Sequence, residues 1–204
     1  HWNPSGGFRE DQFNPPVRLR VENAKGKWLQ LFAALKHDSA TVCVVVSVAY
    51  VDHCLWALLG AYLAGDDAKI GILTHGGCVG DLSAKAKLAF CLGLISKGLF
   101  NRILLLCTIR NSFAHKLDVT SFDSPEVVED CSKVQLPLGT RIDITATDED
   151  DLRKIMTECL DMKTSRGRFT AVAAAICTHL AEATLKITPC TPLKDVWDST
   201  SYMS

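Results

Sequence analysis

The chain has 204 residues, of which 22 are basic and 23 are acidic, and its formal net charge is -1. Because 48% of the residues are hydrophobic and 22% are charged, the composition is that of a globular protein and excludes a disordered one. The near-neutral charge, without a concentrated basic stripe, argues against a protein that reads duplex DNA. The length predicts a single domain with one core.

The cysteines are nine in number and include no C-x-x-C pair. An odd count without that pair argues against a disulfide scaffold, a zinc ribbon and a redox dithiol. Five of them lie in apolar runs, where a free thiol behaves as a small hydrophobic group: Cys43, Cys54, Cys91, Cys107 and Cys177. We therefore expect reduced thiols in a cytoplasmic protein, with no metal site and no cofactor. The first residues have no signal-peptide pattern.

The predicted organisation is one helical domain, residues 17–190, between a flexible N-terminal arm at 1–16 and a C-terminal tail at 191–204. About seven helices are expected, which makes the fold an all-α bundle. They lie at 17–36, 40–64, 81–95, 100–116, 125–133, from 148, and at 168–187. Residues 65–80 are predicted to form a loop, Gly98 to break the helical pattern, and 141–145 to form a short extended piece.

The segment 40–64 is the most ambiguous one. Val42 to Val46 have strand propensity, but the length of the segment and the capping residue Ser39 favour a helix. The segment is apolar enough to raise the question of a membrane span. Asp52 and His53 at its centre argue against lipid exposure, so we expect a buried core helix and no membrane contact.

The helix at 100–116 carries a polar group of side chains on one side. At 100° per residue, Arg110, Asn111, Ala114 and His115 share one arc of this helix. A core stripe occupies the other side: Leu105, Leu106, Ile109 and Phe113. The N-terminal half of the helix is apolar on the polar side as well, which predicts cover on both sides and therefore a subunit interface.

Two interpretations of the arc compete on chemistry alone. In the structural one, the three polar side chains satisfy one another and Asp52, because a buried carboxylate needs a partner and Arg110 is a natural candidate. In the functional one, Arg110 holds a phosphate or carboxylate in a forked pair and His115 moves a proton. Lys85 is expected to be solvated or to line a cleft near Arg110. Chemistry alone favours the structural interpretation.

The order and spacing of five short pieces resemble the mannitol operon repressor (MltR-like) family. The pieces span roughly the 45 residues from 80 to 123 and are Gly80–Leu88, Leu92–Ile95, Ile109–Asn111, Phe113–His115 and Ser121–Asp123. The resemblance implies an all-helical bacterial fold, often a homodimer. It also implies a transcriptional regulator that acts on an unidentified protein partner without a recognisable DNA-binding motif. We expect this non-enzymatic role.

The spacing from Arg110 to His115 is also similar to the R-x4-6-H signature of HEPN domains, many of which are metal-independent ribonucleases. That similarity implies an alternative in which RNA is the substrate. His115 then acts on the ribose 2′-OH, Arg110 stabilises the phosphorane charge and Asn111 orients them. A weaker alternative is a sensor of an anionic small molecule that binds near Arg110.

Overall fold

The computed structural model describes residue 35 and the ranges 39–116, 118–136 and 161–191. This part of the chain is helical and contains no strand, so the all-α prediction is confirmed for the described residues. It holds six helices: α1 (Ala40–Tyr62), α2 (Asp66–Leu73), α3 (Leu82–Cys91), α4 (Lys97–His115), α5 (Pro125–Lys133) and α6 (Ser165–Lys186).

Five of these six helices correspond to predicted ones, and α2 is an addition. The remaining predictions lie outside the described residues: the helices at 17–36 and from 148, the extended piece at 141–145, the arm at 1–16 and the tail from 192.

Helix α1 is the central element and packs against α6, α3 and α4. Its N-cap is Ser39, whose Oγ accepts a hydrogen bond from the Val42 N–H at 3.4 Å, and the segment is helical in spite of its strand propensity. Its buried side chains recur at helical spacing: Cys43, Val44, Ser47, Val48, Val51, Leu55, Leu58 and Leu59. Burial of each large aliphatic side chain stabilises the fold by about 1.5–3 kcal/mol. By length and composition α1 is also capable of crossing a membrane, a test that core helices of soluble proteins pass as well.

Helix α6 is surrounded by protein along most of its length, because every residue from Gly167 to Leu180 except Arg168 and His179 is buried. It begins three residues before the predicted start at Arg168. Thr164 Oγ1 accepts a hydrogen bond from the Gly167 N–H at 2.9 Å and caps the helix. A Cβ at position 167 would collide with the carbonyl of Asp161, so this first turn requires glycine.

Helix α2 lies where a loop was predicted, so that prediction was wrong for residues 66–73. The segment is short and contains Gly71, a poor helix former. Leu73, which is only 2% exposed, packs into the core, and this tertiary contact stabilises a helix that local propensity does not favour.

Helix α4 begins at Lys97 and not at Phe100, so Gly98 lies in its first turn and does not break the pattern. The sequence signal for this earlier start is Ser96, whose Oγ accepts a hydrogen bond from the Leu99 N–H at 3.2 Å. The cap fixes the start of the helix three residues earlier than its apolar periodicity does. Helix α5 begins at Pro125 after Ser124, as predicted.

Candidate functional site on helix α4

Helix α4 is held in the bundle by one apolar face. The predicted core residues Leu106, Ile109 and Phe113 are buried, and Leu105 is half-buried against the same core. Two further buried residues, Leu99 and Ile103, continue the stripe towards the N-terminus. The orientation of α4 is therefore fixed by its apolar residues, and its polar side chains face outwards.

The predicted arc of Arg110, Asn111, Ala114 and His115, which we call the α4 arc, lies on the solvent side of the helix. Asn111, Ala114 and His115 are exposed and Arg110 is half-buried. Within the part of the chain that the structure describes, none of the three polar side chains forms a hydrogen bond or an ion pair. The arc therefore offers a forked guanidinium, an amide and an imidazole to an external group. The structural interpretation, in which these side chains satisfy one another, does not describe this geometry.

The partner of Asp52 is Lys85 and not Arg110, so the predicted Asp52–Arg110 pair was wrong. Lys85 Nζ lies 2.9 Å from Asp52 Oδ1 and 3.1 Å from Oδ2, and it also donates to the Gly80 carbonyl at 2.7 Å. The Lys85 side chain is 3% exposed and that of Asp52 is 37% exposed. The ammonium group is thus buried with three acceptors, while the carboxylate still reaches water.

Helix α3 carries Lys85 on its buried face, contrary to the expectation that this residue is solvated or lines a cleft. The sequence contained the signal, because the buried residues Leu82, Ala86 and Ala89 surround Lys85 at helical spacing. Asp81 caps the helix, since its carboxylate accepts hydrogen bonds from the Ala84 N–H and the Ser83 hydroxyl, both at 2.8 Å.

The loop before α3 is built on close backbone contacts. A Cβ at Gly80 would lie 2.6 Å from the Thr74 carbonyl oxygen, and one at Gly77 would collide with the backbone of Gly71 and Ile72. These two glycines are therefore required by packing. The packing in turn places the Gly80 carbonyl against Lys85.

Cys107 lies one turn before Arg110 and shares its electrostatic surroundings. Burial raises the pKa of the Cys107 thiol to about 11. The guanidinium of Arg110 opposes that rise, whereas the carboxylates of Asp81 and Asp52 add to it. Cys107 is thus a neutral thiol at physiological pH and is not a nucleophile.

Cys91, predicted to lie in an apolar environment, is exposed instead.

The segment after α4 has a structural role. Phe122 is buried between Phe113 and Phe169, with ring centroids 5.4 and 5.7 Å away. Lys116 forms an ion pair with Glu126, and the hydrogen bond to this carboxylate raises the pKa of Lys116. The family-like piece Ser121–Asp123 therefore anchors the C-terminal end of α4 through Phe122.

A cavity of about 310 Å³ lies at the N-terminal ends of α1 and α6. Its lining is mostly polar and includes Ser39, Ser121, Asp123, Thr164 and Arg166. Arg110 is not among the lining residues, so this cavity does not serve the expected anion site near Arg110.

The class that this geometry defines is an all-helical bundle with a solvent-facing polar arc on one helix. Among solved structures, the fold is similar to a chain of the MtlR–HPr complex from Escherichia coli, with a TM-score of 0.54 and 16% sequence identity. The similarity covers 75% of this chain and 97% of that chain. No family model matches the sequence, and no curated protein matches it either. At this identity the likeness concerns the fold.

Proposed function

We propose that this chain is an MtlR-like regulator that works in the bacterial cytoplasm by binding a partner protein through the α4 arc. The observation that carries the proposal is the fold similarity, which extends over 97% of a chain of the MtlR–HPr complex. The arc supports it, because Arg110, Asn111 and His115 face solvent with no internal partner among the described residues. Arginine is also enriched at the energetic centres of protein interfaces.

The solved neighbour was crystallised with HPr, and we propose HPr of the source organism as the first partner to test. The near-neutral charge of the chain fits a regulator that acts through protein contacts, because affinity for nucleic-acid phosphates requires concentrated basic residues.

The test is isothermal titration calorimetry of the purified chain with HPr. Asn111→Ala is compared with Asn101→Ala, which removes the same group from an exposed position on the same helix, about 15 Å away along the axis. We expect Arg110→Ala to weaken binding at least tenfold and Asn111→Ala several-fold, with no change for Asn101→Ala. The absence of HPr binding at several hundred micromolar, or equal binding by all variants, contradicts the proposal.

The second candidate function is a metal-independent ribonuclease, and one observation favours it. Arg110, Asn111 and His115 share one solvent-facing side of α4, where a phosphodiester has access to a guanidinium and an imidazole together. The chain is incubated with labelled RNA in EDTA beside the Arg110→Ala/His115→Ala double variant and Asn101→Ala. Cleavage by the wild type and Asn101→Ala, lost in the double variant, establishes the enzyme. Intact RNA in every lane eliminates it.

A further inference from the structure

We draw no further inference here: the strongest candidate, the polar cavity of about 310 Å³ at the N-terminal ends of α1 and α6, rests on two helix N-termini, and no buried polar side chain among its described lining residues points to a ligand.

Discussion

The Asp52–Lys85 pair and the α4 arc contain charged and polar side chains of the same kinds in opposite environments. Lys85 is 3% exposed and donates to three oxygen atoms. Arg110, in contrast, is half-buried and pairs with none of the described residues. A buried charge is tolerated only when its hydrogen bonds are satisfied internally, whereas an exposed one remains available to a ligand. The comparison therefore assigns the pair to stability and leaves the arc free for the partner binding that we propose.

The largest expected effect comes from breaking the pair at Asp52. Asp52→Ala leaves the buried Lys85 ammonium with the Gly80 carbonyl alone, and we expect a loss of about 2–3 kcal/mol in the free energy of unfolding. The measurement is urea unfolding followed by circular dichroism. A loss below about 1 kcal/mol, the scale of exposed ion pairs, would show that the pair does not stabilise the fold.

A smaller loss of stability is expected when Lys85, the other member of the same pair, is replaced. Lys85→Met leaves a carboxylate that is 37% exposed and still hydrated, while the methionine fills the apolar space, so the loss should be roughly 1 kcal/mol. The double variant Asp52→Ala/Lys85→Met should be more stable than Asp52→Ala alone. If Lys85→Met proves the more damaging of the two single variants, the assignment of the buried charge to Lys85 is wrong.

Asp81 is the N-cap of α3, the helix that carries Lys85, and it makes the stability of the fold depend on pH. Hydrogen bonds from the Ala84 N–H and the Ser83 hydroxyl lower the pKa of Asp81. The ionised cap therefore stabilises the fold above the unfolded pKa of about 3.9, and this contribution disappears as the pH falls through the lower folded pKa. Asp81→Ala should cost about 1 kcal/mol at pH 7.

The control for this pH dependence is Asp81→Asn, which keeps a neutral cap. Its stability relative to the wild type should improve as the pH falls from 5 to 2. Parallel stability curves for the wild type and Asp81→Asn over that range would contradict the assignment.

The smallest effect on stability is expected in the α4 arc. Arg110→Ala, Asn111→Ala and His115→Ala should each change the free energy of unfolding by no more than about 0.5 kcal/mol, because surface substitutions without internal partners rarely do more. The same urea experiment provides the measurement. A loss above 1.5 kcal/mol for Arg110→Ala would return that residue to a structural role and would weaken the contrast between the two groups.

Local signals in the sequence predicted most of the described helices because capping and periodicity are short-range properties. Ser39, Asp81 and Ser124 each mark a helix start that the structure contains. Where a tertiary contact decided the outcome, prediction failed. Helix α2 depends on the burial of Leu73. The early start of α4 is a different case, because the cap at Ser96 that extends the helix past Gly98 is a local signal that the apolar periodicity obscured.

For the candidate site, the sequence located the α4 arc but not its relation to Asp52. The arc follows from the 3.6-residue repeat, since Leu106, Ile109 and Phe113 turn inwards and Arg110, Asn111 and His115 turn outwards. The choice between Lys85 and Arg110 as the partner of Asp52 depended on how α1, α3 and α4 pack together. Periodicity shows which face of a helix is buried, but only the packed bundle decides which charges lie within hydrogen-bond distance. The packing therefore decides that the Asp52–Lys85 pair stabilises the fold and that the α4 arc remains available to a ligand.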